Sequence, residues 1–333
     1  MMTGKKRLLF AVFSPLVLCA LILADMTAGA ADIGMSGIIK SFTGGDVPDR
    51  TRTIILEIRG VRTISALLAG MAVSVCGLMM QTLFRNPLAG PYVLGINSGA
   101  SLGAALFVLG IPAAWSGSSI IAGAGLAGAA WIGAGTVMAV MAMASTRLKD
   151  IMAVLILGLM LSAGIDAMVQ ALQFFSDETA LKSYVLWTMG TLGGVSSGQL
   201  PVMAAAVLSG AVLAGFSVKS LNLLLLGEEY AATMGLDVKT ARNVIYASTV
   251  LLAGTVTAFC GPIGFLGLAS PHIARFLTGT SDHRILLPGT AMTGAILMTA
   301  CDILSKVSHL PVNVMTSLLG IPVVIWIVLK FRQ

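Results

Sequence analysis

TISALLAGMAVSVCGLMMQTL, residues Thr63 to Leu83, contains no charged side chain, although Arg62 stands directly before it and Arg85 shortly after. A run of this kind matches the ~20 apolar residues an α-helix needs to cross a bilayer. Similar runs recur at Leu8–Ala24, Ser118–Ala144, Ile151–Phe175 and Leu286–Ala300. With 57% apolar residues, 10% charged residues and a mean hydropathy of +0.95, the 333-residue chain lies outside the soluble globular range. The runs lack the strict alternation of barrel strands, so the chain reads as an all-α polytopic membrane protein.

On length and hydropathy about ten spans are expected, near 8–24, 62–83, 92–110, 118–144, 151–175, 198–217, 241–260, 263–277, 286–306 and 314–330. The eighth is short and interrupted by Gly261, Pro262, Gly264, Gly267 and Pro271, as in a broken helix. Irregular backbone at membrane depth requires cover by protein or water. Ten spans put both termini on one side. Placing them in the cytoplasm leaves most of the 20 Lys and Arg inside, as the positive-inside rule requires. Lys40, Arg50, Arg52, Arg59, Arg62, Lys182 and Lys306 then fall outside.

The pI of about 9.3 does not indicate nucleic acid, because the basic residues are scattered between apolar runs. Cys19, Cys76, Cys260 and Cys301 lie in apolar segments without zinc-like spacing and read as small core residues. Lys5, Lys6 and Arg7, the apolar run behind them and the trio Ala28, Gly29 and Ala30 have the outline of a signal peptide. A first span is the preferred reading. In the loop near 25–58, Ile33, Ile38, Ile39 and Phe42 are expected on one face of a short surface helix. Gly99 with Gly103, and Gly125, Ala129 and Gly133, have the small-residue spacing that lets helices approach closely.

No GxxxxGK[ST], HExxH or GxSxG occurs. The literal GxGxxG of Gly123–Gly128 lies inside an apolar run without a βαβ unit. Asp166 and Asp302 are acids within spans. Each would cost about 2.5–3.5 kcal/mol at the centre of an isolated helix, so each is expected to face protein or water. For Asp166 a hydrogen bond within the bundle is preferred. Asp302 is expected to pair with Lys306 one turn on. An intramembrane aspartyl protease does not fit, because Asp166 follows Ala163, Gly164 and Ile165 rather than a GxGD motif. Without a nucleophile or metal constellation an intramembrane enzyme does not fit. An ion-coupled secondary transporter is consistent with broken helices and intramembrane acids.

Three separated motifs narrow the choice. The first is RGVR, Arg59–Arg62, followed by QTLFRNPLAGPYVLG, Gln81–Gly95. The second is GEEYAATMGL, Gly227–Leu236. The third is GPIGFLGL, Gly261–Leu268, with Pro271, His272, Arg275, Asp282, Arg284 and Pro288. In this order they resemble the FecCD-type permeases, the membrane subunits of ABC importers for iron-siderophores, haem and cobalamin. The resemblance implies the type II ABC importer permease fold, with residues 1–333 as one transmembrane domain. It implies a homodimer in the bilayer of a bacterial or archaeal cytoplasmic (inner) membrane. The implied partners are a cytoplasmic ABC ATPase dimer, which binds ATP and Mg, and a periplasmic or lipid-anchored binding protein. The permease itself would catalyse no covalent chemistry and hold no cofactor, metal or nucleic acid.

The resemblance places ATPase-docking helices at about 221–236, on Gly227, Glu228, Glu229, Tyr230, Ala231, Ala232, Met234, Gly235 and Leu236. It assigns Arg59, Arg62 and Lys306 to an outer rim that meets the binding protein. Asn86, Leu88, Ser145 and Thr146 would narrow the path. Val61 stands where the family usually has proline, Lys306 where it has arginine, and Leu310–Asn313 departs from the family's acidic pattern. The chelate itself is not legible. The orientation predicts that cysteines introduced at Glu228 and Asp46 react with an impermeant reagent from opposite sides of the membrane. Labelling of both from one side would contradict ten spans.

Overall fold

The computed structural model describes residues 2–29, 31, 33–110, 119–148 and 150–330, and their regular structure is entirely helical. Ala30 and Ser118, named above, lie outside the described residues. In chain order the helices are α1 Met2–Thr27, α2 Met35–Thr43, α3 Asp49–Thr53, α4 Val61–Leu83, α5 Ile96–Gly110, α6 Ser119–Arg147, α7 Ile151–Phe175 and α8 Glu178–Thr188. They continue as α9 Leu200–Phe216, α10 Val218–Leu224, α11 Glu228–Thr233, α12 Val238–Thr249, α13 Thr255–Cys260, α14 Leu266–Thr278, α15 His283–Ser308 and α16 Val312–Lys330. Widened π-type turns, Ile54–Gly60 and Val250–Gly254, join α3 to α4 and α12 to α13 into continuous rods.

Each of the ten apolar segments contains a helix, but they are unequal. Six described helices are long and apolar enough to cross a membrane, and α9 with α10 would make a seventh, bent by 54°. Ile96–Gly110 and Val312–Ile325 are shorter apolar helices. α14 is broken from α13 at Gly261, as the glycines and prolines there foretold.

α4 is the axis of the fold. Nearly all of its side chains are buried, against α14 and α15 above all and against α9. Its glycines explain the intimacy. A Cβ on Gly77 would stand 1.8 Å from the Gly267 carbonyl oxygen of α14, and one on Gly70 would stand 2.3 Å from the Gly294 oxygen of α15. α5 and α6 meet the same way, through the small residues singled out in the sequence. A Cβ on Gly103 would lie 2.1 Å from the Ala129 oxygen, and one on Gly133 would lie 2.1 Å from the Gly99 oxygen. Lipid tails are as apolar as leucine, so this close packing of backbones supplies the attraction that burial supplies in water.

α1 is peripheral, resting on α15 and α14 with Leu8, Val12, Phe13 and Leu16 exposed. The short helix expected in the following loop is α2, although its apolar residues divide. Ile38 is buried with Met26 and Ile55, whereas Ile39 and Phe42 remain exposed.

Gly103→Val should destabilise the bundle by about 1–3 kcal/mol, the usual cost of overpacking. Thermal unfolding in detergent reads this, with Gly128→Val as control, since nothing lies within 4 Å of a Cβ at Gly128.

Candidate functional site

At one end of the bundle, α10 and α11 form a platform. The chain turns between them at Gly227, whose φ of +105° is open to glycine at little cost. A Cβ there would also meet the Arg85 guanidinium at 3.2 Å. Gly235, with φ +86°, turns the chain from α11 into α12 and faces open space. Gly227, not Gly235, is therefore the joint of the platform. Leu226, Tyr230 and Met234 are exposed on it, as are Glu229 and Ala232, while Ala231 is fully buried and Leu236 half-buried.

Two polar anchors tie this platform to the spans. In the first, Glu228 of α11 forms a two-pronged ion pair with Arg242 of α12. Arg242 also donates from Nη1 to Ser145 Oγ of α6 at 3.3 Å, as does the Tyr246 hydroxyl at 3.3 Å. Arg242 is buried and Glu228 half-buried, so this carboxylate is largely taken up by the ion pair rather than by solvent. In the second anchor, Asn222 of α10 donates to Asp282 Oδ1 at 2.7 Å and accepts from the His283 backbone N–H at 2.9 Å. His283 Nε2 lies 2.8 Å from Thr82 Oγ1 of α4. The Arg284 backbone N–H, and then the Asn222 amide, hold the Asp282 carboxyl below its ordinary range. Its contribution is therefore present at neutral pH and is lost only as acid protonates it below that range.

Beside the platform, residues 84–95 run without regular helix into the bundle, between α7 and α14. Asn86 Oδ1 accepts from the Leu88 N–H at 2.9 Å, closing a turn that leaves Leu88 exposed. Deeper in, the Tyr92 hydroxyl donates to the Ile263 carbonyl at 2.8 Å, and Gly95 packs against Ser162 and Val137. Thr146 is exposed and lines a cleft of about 540 Å³ with Met143 and Tyr246. Ser145, one residue earlier, points instead into the Glu228–Arg242 anchor. The four residues assigned to a narrowing thus split between the turn at Asn86 and Leu88 and the end of α6.

At the opposite end the three basic rim residues have different surroundings. Arg59 is buried, and its Nη1 donates to the Met26 and Thr27 carbonyls at 2.7 and 3.1 Å, capping the last turn of α1. It is not presented at the surface. Arg62 donates from Nε to Asp302 at 2.9 and 3.1 Å. Lys306 makes the expected pair with Asp302, at 3.0 Å, and another with Asp25 of α1, at 2.7 Å. Thr63 donates to Asp25 at 2.6 Å. Two acids and two bases form a balanced group, with both carboxylates fully buried. Arg62 and Lys306 still edge an open cleft of about 540 Å³, shared with Gly29, Thr191, His309 and Pro311. Asp166 differs from its expectation. It is exposed on α7, and its side chain forms no ion pair or hydrogen bond among the described residues.

The model of the FecCD transport family matches residues 16–330. The chain belongs to the FecCD transport family. It is 34% identical over 322 residues to the hemin transport system permease protein HmuU of Yersinia pestis, covering 94% of each chain. It is 36% identical over 290 residues to the vitamin B12 import system permease protein BtuC of Escherichia coli, covering 85% of this chain and 86% of that one. Among solved structures it resembles "An inward-facing conformation of a putative metal-chelate type ABC transporter", with a TM-score of 0.82 and 26% identity, over 96% of this chain and 98% of that one.

Within this FecCD chain, the motifs correspond to places where the backbone departs from helix or the charge is buried. Arg242, Asn222, His283 and Asp25 were not anticipated as partners. Asp25, an acid closing an apolar run, and Arg242, an arginine entering another, were the available signals. Glu229, exposed beside the anchored Glu228, is the cleaner position for the sidedness test.

Glu228→Gln removes the charge that faces buried Arg242. It should cost about 1.5–3 kcal/mol, as for hydrogen bonds to charged groups. Combined with Arg242→Ala, the loss should be well below the sum of the two single losses, since both break one anchor. Thermal unfolding of the three variants decides; additive losses would show that the pair does not act as a unit.

Proposed function

We propose that this chain is the permease subunit of a binding-protein-dependent ABC importer for a metal chelate, two copies enclosing the path. The observation that carries the proposal is the platform of α10 and α11. It offers exposed Leu226, Tyr230 and Met234 to a partner, yet is tied by charge-assisted contacts to α12, α6, α15 and α4. Such a platform suits a subunit that receives force and has no phosphate loop of its own. The FecCD relatives support the cargo class, one being a hemin transport permease and another a vitamin B12 import permease.

In this reading the platform and both termini face the cytoplasm, and the partner is an ABC ATPase dimer that binds ATP and Mg. Closure of that dimer displaces α10 and α11. The Glu228–Arg242–Ser145 anchor carries the displacement to α12 and α6, and Asn222 with His283 carries it to α15 and α4. The cleft edged by Arg62 and Lys306 faces outward, where a periplasmic or lipid-anchored binding protein delivers the cargo. Arg62 is the rim residue best placed for that contact. Arg59 contributes by holding the end of α1. The path alternates between the two faces without covalent chemistry in this subunit.

The chain purified alone should hydrolyse no ATP. Reconstituted with its ATPase and binding protein, it should support stimulated hydrolysis and uptake. Gly227→Leu should abolish both while the protein still inserts, whereas Gly235→Ala should retain much of each. Uptake by the chain alone, driven by an ion gradient without any ATPase, would replace this reading with a secondary transporter.

A further inference from the structure

α1 and α7 are the two long spans least covered by the rest of the chain, yet their exposed surfaces differ in kind. The exposed side chains of α1 between Leu8 and Leu23 are overwhelmingly apolar, as expected of a surface against lipid. α7 exposes Asp166 and, one turn on, Gln170, beside the small residues Ala163, Gly164 and Ala167. Asp302, the acid within α15, is fully buried against Arg62 and Lys306. Asp166 lies past the middle of α7, close to Tyr184 of α8, and pairs with no cation among the described residues. A carboxylate at this depth is costly against hydrocarbon and is accommodated facing water or protein. Small residues around it leave room for a second surface to approach.

We propose that Asp166 and Gln170, contributed by both copies of the dimer, form a polar subsite along the water-filled path that favours cationic or neutral chelates and slows those bearing free carboxylates. This rests on the permease reading above and deepens it by naming a cargo class. Two carboxylates facing one another across the path attract positive charge and hydrogen-bond donors, and Gln170 offers an amide to either kind of group. Hemin, with two carboxylates of its own, is then a poorer cargo than its similarity to one relative suggests. The filter acts on charge and hydrogen-bonding groups rather than on size, so it discriminates between chelates of similar size.

The test uses the full chain in native membranes on a Cys19→Ser background, because Cys19 is the exposed native cysteine and Cys76, Cys260 and Cys301 are buried. Ala163→Cys, and separately Ala167→Cys, are treated with a cationic trimethylammonium-ethyl methanethiosulfonate and its anionic sulfonatoethyl counterpart. Both positions should react, and the cationic reagent should be favoured by about fivefold or more relative to its rate with a free thiol. Adding Asp166→Asn should collapse that preference. Absence of reaction at both positions, or a preference unchanged by Asp166→Asn, overturns the subsite. Stimulated ATP hydrolysis is measured on the same cysteine variants reconstituted with the ATPase. If coupling persists while the charge preference is absent, the subsite fails and the permease reading stands; if coupling is also absent, the permease reading fails with it.

Discussion

The bilayer core offers no hydrogen-bonding solvent, and the arrangement of this chain follows from that one constraint. Every backbone group must be satisfied internally, so the spans are helices. Where helix is abandoned, at residues 84–95 and at Gly261–Gly264, protein closes over the break. Tyr92 reaches the Ile263 carbonyl from one break to the other, and Asn313 Oδ1 accepts from the Gly264 N–H. α4 must approach α14 and α15 at backbone distance to provide this cover, and glycines at the crossings permit it. Buried charge obeys the same rule. Asp25 and Asp302 persist away from water because Lys306 and Arg62 neutralise them and Thr63 completes the hydrogen bonding.

How much of this could be read from the sequence depended on the length scale of the signal. Hydropathy located the helices, because a span must be apolar along its entire length. The small-residue spacing at Gly99, Gly103, Ala129 and Gly133 predicted a close crossing, since only small side chains permit one. The platform was placed by the resemblance, and the positive φ at Gly227 and Gly235 explains why its motif carries glycine at those two turns. What remained hidden were pairings between distant segments. Arg242 follows Glu228 by only 14 positions, but whether the two meet depends on the angle between α11 and α12. Asp25 and Lys306 are separated by 281 positions. The resemblance assigned Arg59 to the docking rim, where a charge would face water. The carbonyls at the end of α1 claimed it instead.

The contacts between platform and spans also set the character of the coupling. Neither anchor is a broad apolar interface. Each consists of a few directional bonds with a charged group at the centre, and each reaches a different pair of spans. Apolar surfaces slide at modest cost, whereas a two-pronged arginine–carboxylate pair holds both distance and orientation. Displacement of α11 must therefore carry α12 with it or break the pair. Since the Ser145 hydroxyl receives hydrogen bonds from both Arg242 and Tyr246, the end of α6 is drawn into the same unit.

The bend between α9 and α10 gives that unit a mechanical advantage of a particular kind. At 54° it exceeds half a right angle, so a displacement along α10 resolves into a larger component across α9 than along it. A push from below is thereby turned sideways, as by a crank. A span pushed in this way tilts more than it pistons.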